Sequence, residues 1–176
     1  MNQFELKRGA LGLGLIFTAV ALVACSTLQH SSVPILKAAN GASLANCAAL
    51  VDQLKLAHTK IESSSLVDSG VLKLGNNAVP EHCLVKGRMH ERKGSDGRDY
   101  AIGFEMRLPL IWNGRFYYQA NGGTDGAIST AAGALGGGPI TSALAKGFAV
   151  LSSDAGHQSQ TTPFFGIDPQ ARIDYG

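Results

Sequence analysis

Residues able to do chemistry in this chain gather where glycine and small polar side chains follow short apolar runs. The densest case is Trp112 to Gly126, WNGRFYYQANGGTDG. Its run Arg115 to Gln119 feeds straight into a loop holding Gly122, Gly123 and Gly126. A glycine loop after a strand lets backbone N–H groups approach a reacting centre and face developing negative charge. The same glycines also suit a tight strand-to-helix connection that needs them for steric reasons alone, and the stretch by itself leaves both readings open. A second cluster is Ser152, Asp154 and His157, after the apolar run Phe148 to Ser152. Asp154 and His157 fall at the C-terminal end of that run, where α/β sheets place ligands. They suit a metal or acid/base pair, or a pair that hydrogen-bonds the loop and shapes the rim of a pocket; the rim reading is preferred. The three are not a nucleophilic triad, because residues so close in sequence do not easily converge on one line of proton transfer.

The elements that must position these residues are readable in part. Ser43 resembles a helix N-cap, and Leu44, Cys47, Ala48, Val51 and Leu54 recur at helical spacing, predicting an amphipathic helix over Leu44 to Ala57. Thr59 to Ser65 alternates weakly, as a short edge strand or irregular cover. Cys83 to Glu91 and Tyr100 to Leu108 alternate clearly, and Asp96-Gly97 between them signals an antiparallel hairpin. Pro109 ends the hairpin, Trp112-Asn113-Gly114 turns the chain, and Arg115 to Gln119 is a third strand. Ala127 to Leu135 is weakly helical. Pro139 and Gly147 mark the start and stop of a helix over Ile140 to Lys146, and Phe148 to Ser152 is a buried parallel-type strand. An antiparallel hairpin followed by a strand–helix–strand crossover is an α/β arrangement, one that suits the N-terminal half of an α/β-hydrolase sheet. His58 and His82 read as surface residues. Lys86, Arg88, Glu91, Arg92, Glu105 and Arg107 read as lying on solvated faces.

Composition bounds the rest. With 176 residues, 45% of them hydrophobic, the chain suits about one globular domain. The net charge is +2 and no Lys/Arg block is long, which argues against a nucleic-acid partner. Lys7 and Arg8 precede an apolar stretch, Leu11 to Ala24, that is short for a membrane span, so residues 1–24 read as a signal peptide. Leu22-Val23-Ala24-Cys25 resembles the lipobox of bacterial lipoproteins, implying lipidation of Cys25 and a tether over residues 25–41; an ordinary signal peptide with an incidental Cys25 is the other reading. Ser26 favours the outer membrane over retention at the inner one. Either way the mature chain is expected to be exported, as an outer-membrane lipoprotein or a periplasmic or secreted protein. Of three cysteines, removal of Cys25 leaves Cys47 and Cys83, whose simple assignment in an oxidising compartment is a disulfide. It would close a loop of about 36 residues, worth on the order of 3–4 kcal/mol in the chain-entropy picture.

Six separated blocks together resemble the tannase/feruloyl esterase family. They are Trp112 to Phe116, Gly122 to Gly126, Gly136 to Gly138, Ser142 to Ala145 with Gly147 to Ala149, Asp154 to His157, and Gly166 to Gly176. The cysteine placement and the lipobox resemble a bacterial branch of it. The resemblance runs over residues 42–176 and implies the N-terminal portion of an α/β-hydrolase domain that cleaves esters of phenolic or aromatic acids through a serine acyl-enzyme. It also implies a calcium-binding lid. The family's Cys-Ser-x-Gly-Gly nucleophile elbow has no counterpart in this sequence, nor do the triad's acid and histidine or the lid. The resemblance therefore implies a chain that stops before the elbow, is inactive by itself, and needs no cofactor within this segment. What carries over is the loop: Gly123 matches the oxyanion donor through its N–H, with Gly122 facing substrate and Asn121 and Thr124 beside it. Gln119-Ala120-Asn121 is poorer in glycine than the family's usual pattern, which bears on how closely the loop approaches a substrate. A non-catalytic exported lipoprotein module is the alternative expectation.

Overall fold

The computed structural model describes residues 39–133, 142–159 and 162–176. The expected signal peptide, the lipobox with Cys25, most of the tether, and the triple glycine at 136–138 lie outside them. In chain order the elements are β1 (Ala42–Ser43), α1 (Leu50–Gln53), β2 (Thr59–Val67), β3 (Lys73–Leu74), β4 (Asn77–Ala78), β5 (His82–Lys93), β6 (Asp99–Pro109), β7 (Ile111–Trp112), β8 (Phe116–Gln119), β9 (Ala149–Ser153) and α2 (Pro169–Tyr175). Five strands form one mixed sheet in the order β2-β5-β6-β9-β8. Every pairing in it is antiparallel except β8 with β9. This is the α/β arrangement expected from the sequence, an antiparallel hairpin leading into a parallel pair.

The hairpin forms where period-two alternation meets a turn that needs a left-handed residue. Gly97 supplies it, with φ of 79°, and the Gly94 N–H closes the turn on Arg98 O at 2.8 Å. On one face of the sheet Cys83 pairs with Leu108 and Val85 with Met106. That face packs against Leu44, Cys47 and Leu50, and the expected disulfide joins Cys47 to Cys83 with Cα atoms 5.5 Å apart. On the other face Val150 packs with Val79, Ala131 and Leu144, backed by Leu72 and Leu74.

Four expectations about elements change. The helix predicted over Leu44 to Ala57 shrinks to α1, with Ala49 rather than Ser43 at its N-cap. Tertiary bonds claim the rest: Leu44 N–H pairs with Leu110 O, Ser43 pairs with Ile111, and Cys47 is fixed by its bridge. The Ser64 hydroxyl also competes, accepting from Val51 N–H and donating to Ala48 O. The weak alternation from Thr59 becomes a full nine-residue edge strand, β2. Between β8 and β9, residues 127–133 carry bends and no helix, and the described part of the second predicted helix is a 3-10 turn, Leu144–Lys146, ended by Gly147 at φ 84°.

The reading of solvated charges is corrected for Glu105 and Arg107, and that of surface histidines for His82. All three are buried, on the face of the sheet covered by the crossover segment. Alternation along β6 implies one wet face only if a single face is covered, and here both are. Arg92 is half-buried, bridging Asp168 and Asp174.

Candidate functional site

β8 ends at Gln119, and the chain leaves the C-terminal edge of the sheet as the glycine loop. Gly122 and Gly123 are exposed, and a Cβ at either would meet nothing within 4 Å. Gly123 adopts φ of 69°, the left-handed region that glycine enters without steric cost. Among the described residues none accepts a hydrogen bond from the Gly122 or Gly123 N–H. Two backbone donors thus stand in open space at the end of the sheet where α/β proteins place ligands.

The loop is braced from within by the strand that launches it. Gln119 is buried; its Nε2 donates to Thr130 O at 3.0 Å and its Oε1 accepts from Gly133 N–H at 2.7 Å, which closes the loop's two ends on each other. Asn121, expected beside the substrate, spends its side chain on the scaffold. Its Nδ2 donates to Ala127 O and Ser153 O, and its Oδ1 accepts from the Ser152 hydroxyl. Thr124 presents its carbonyl inward, to His157. Gly126 is locked between neighbours. Its N–H donates to Asp154 O, its carbonyl accepts from Ser159, and a Cβ there would lie 2.8 Å from Ser159 N.

Asp154 and His157 both stand at this rim, on the turn after β9. Asp154 Oδ1 accepts from the Gly103 and Gly156 N–H groups, each at 2.9 Å, which ties β6 to the turn. Burial pushes its carboxyl up from the ordinary carboxylate range, against the pull of those two donors. His157 is 3% exposed. Its Nε2–H donates to Thr124 O at 2.7 Å, and its ring lies flat on Phe165, centroids 3.8 Å apart. Ser152, Asp154 and His157 each bond different partners, so no proton-transfer line joins them. Tyr175 completes the surround: its hydroxyl donates to Gly123 O at 3.3 Å and its ring flanks His157 and Phe165. Spacing carries no signal for this contact, because Tyr175 lies 52 residues from Gly123.

Behind the site runs a buried ionic chain. Glu105 Oε1 accepts from Arg107 Nε at 2.7 Å and from the Ala131 N–H at 3.0 Å. Arg107 Nη1 donates to His82 Nε2 at 2.7 Å, while His82 Nδ1–H donates to Pro80 O. Burial holds the His82 pKa below its ordinary value, and the neighbouring Arg107 adds to the effect. A concavity of about 950 Å³ opens over Gly103, Asp154 and His157 and is walled by Lys86, Arg88 and Glu105; it does not include Gly122 or Gly123. Among the described residues no three His, Cys, Asp or Glu side chains converge to hold a metal ion.

Known proteins resemble the chain in sequence and in fold. The sequence model of the family described as tannase and feruloyl esterase matches residues 83–176. The chain is 41% identical, over 128 residues, to mono(2-hydroxyethyl) terephthalate hydrolase of Piscinibacter sakaiensis, covering 68% of this chain and 21% of that protein. It is 29% identical over 156 residues to an uncharacterized esterase of Agrobacterium fabrum, covering 86% of this chain and 25% of the relative. In fold it resembles two crystal structures from Aspergillus oryzae, an esterase and feruloyl esterase B. Both give a TM-score of 0.56, at 22% and 21% identity, over 73% of this chain and 25% of theirs. The chain thus spans 21–25% of the length of these relatives.

Proposed function

The chain belongs to the tannase and feruloyl esterase family, and from that premise we propose that the whole protein is a serine carboxylesterase acting on esters of phenolic or aromatic acids. In this reading residues 42–176 supply the first strands of the hydrolase sheet and one half of the oxyanion hole. The nucleophile comes from the rest of the protein, in a Cys-Ser-x-Gly-Gly elbow, and attacks the ester carbonyl to form a tetrahedral intermediate. The Gly123 N–H donates to the oxyanion of that intermediate, alongside a second donor next to the serine. Collapse expels the alcohol and leaves an acyl-enzyme, which water then hydrolyses through a second tetrahedral state. One observation carries the assignment: at the C-terminal edge of the sheet, the Gly122 and Gly123 N–H groups have no acceptor among the described residues.

The remaining parts of the proposal follow the family's plan. Cys25 bears the lipid that tethers an exported protein, probed by lipid labelling of wild type against Cys25→Ser. A lid outside these residues holds the calcium. Two assays test the enzymatic reading. An activated aromatic ester incubated with the whole protein and quenched early should yield a mass adduct of one acyl group on a serine. The 26–176 segment alone should give no turnover. No adduct in the whole protein, or turnover by the segment above background, would sink the reading.

A further inference from the structure

We infer that His157 is a positioning residue for the oxyanion loop, holding the Gly122–Gly123 peptide in its donating orientation through the bond from Nε2–H to Thr124 O. The inference rests on the reading of Gly123 N–H as an oxyanion donor. Such a donor stabilises a transition state only if its direction is fixed before the reaction. The local sequence cannot fix it, since two consecutive glycines with no Cβ contacts have more backbone freedom than any other pair. Something outside the loop must do so. Between Gly122 and Thr124 the loop makes two described bonds to the rest of the molecule: Tyr175 Oη to Gly123 O at 3.3 Å and His157 Nε2 to Thr124 O at 2.7 Å. The tyrosine is partly exposed and its bond is long. The histidine is buried and its bond is short.

The imidazole is itself held. Phe165 stacks on it at 3.8 Å with the rings 4° from parallel. On its edge Gly126 leaves so little room that a Cβ there would lie 2.9 Å from His157 Cε1. A ring clamped on its face and along one edge delivers its Nε2–H to a fixed point. A carbonyl only accepts, so the 2.7 Å contact assigns a proton to Nε2; Nδ1 has longer contacts, to Gln158 O at 3.3 Å and to the Thr162 hydroxyl at 3.5 Å. Thr124 O is one residue past Gly123, so the bond stops the turn from rolling and carrying the donor away.

The test uses the full-length esterase and separates the donor from the bulk of the ring. His157→Gln places an amide N–H near the position of Nε2; His157→Asn, one methylene shorter, withdraws it; His157→Phe keeps the ring on Phe165 without a donor. The expected result is a kcat lowered about tenfold or more in His157→Asn and His157→Phe, with KM within about twofold, and a kcat mostly recovered in His157→Gln. A boronate analogue of the tetrahedral state should lose affinity in step with kcat, while the product acid binds as before. If His157→Phe does not fold, the Asn/Gln contrast decides. Equal kcat in Asn and Gln, or a loss expressed only in melting temperature, overturns the inference. An amide-to-ester replacement of the Gly122–Gly123 peptide, which deletes the Gly123 N–H and keeps the backbone shape, tells the two failures apart. An unchanged kcat in that variant removes the oxyanion reading itself; a lowered one beside an unaffected His157→Asn removes only the role of His157.

Discussion

Burying Arg107 beside Glu105 strips both of much of their water, and the pair persists because neither is left with a buried side-chain polar atom lacking a partner. Arg107 reaches Glu105 and His82, while Glu105 also takes the Ala131 N–H that starts the crossover. Removing one partner should cost far more than removing both charges. Arg107→Met, which leaves Glu105 buried and unpaired, is expected to destabilise the fold by about 3–5 kcal/mol. The double variant Glu105→Gln/Arg107→Met should cost clearly less, as read from urea midpoints. Equal losses in the two would show that the pair is screened by solvent. His82 adds a pH dependence whose sign follows from its lowered pKa. Above about pH 6.5, its ordinary value, His82 is neutral in both folded and unfolded states. Below it the unfolded chain takes up the proton first, so stability falls with pH towards the lower folded value. In His82→Gln the drop in urea midpoint from pH 7 to pH 5 should shrink; an unchanged slope would assign the effect elsewhere. None of this chain was visible in the sequence. Glu105 and Arg107 alternate with Phe104 and Met106, which reads as one wet face, and only the cross-strand register brings His82 and Ala131 to them. The glycine loop was visible, since only glycine gives that backbone freedom. Its braces were not, because Tyr175 on α2 and His157 on the turn after β9 fold back over tens of residues.

At the scale of elements, the tip of the β5–β6 hairpin is clasped to α2. Asp168 caps α2 by accepting from Ala171 N–H at 2.8 Å, and its other oxygen accepts from the Ser95 N–H at 2.8 Å and the Ser95 hydroxyl at 3.1 Å. Arg92 reaches Asp168 at 3.3 Å and Asp174 at 2.7 Å. The Ser95 and Ala171 N–H groups hold the Asp168 carboxyl down at about 2. The clasp is therefore at full strength above the ordinary aspartate value and lost only as pH falls through about 2. Asp168→Ala should speed amide exchange at both Ser95 and Ala171 and, since α2 carries Tyr175, lower kcat in the whole protein. Asp168→Asn should preserve much of the cap. Faster exchange at Ala171 alone would mean that the residue is a cap and not a clasp. The hairpin was legible because strict alternation and Asp96-Gly97 agree. The helix over Leu44 to Ala57 was misread because Leu44, Cys47 and Leu50 do form an apolar stripe. That stripe lies on the sheet as a pinned cover, with its backbone bonds directed to Leu110 and Ser64.

For the whole molecule, β8 is the telling element. It pairs with β9 along one edge, and among the described residues nothing pairs along the other. Parallel strands are normally buried on both faces, yet here Phe116 is 56%, Tyr117 41% and Tyr118 52% exposed. Phe116 and Tyr118 share the face of Leu151, and Tyr117 looks to the other, so both faces are built for cover. A row of free N–H and C=O groups between exposed aromatics is an invitation to strand pairing. The glycine loop leaves this same strand at its C-terminal end. A further parallel strand added beside β8 by the rest of the protein would end next to Gly122 and Gly123, where the proposed reading needs its nucleophile. Two comparisons of the 26–176 segment with the whole protein follow. Alone, the segment should self-associate at micromolar concentration and bind an apolar dye, and the outward amides of β8 should exchange within seconds to minutes. In the whole protein the same amides should be protected to the level of β6, and Tyr118→Asp should prevent folding there. Equal exchange of β8 in both, with a monomeric segment, would show that the edge is natively open. The added strand, and with it the route by which a nucleophile reaches Gly123, would then have to lie elsewhere.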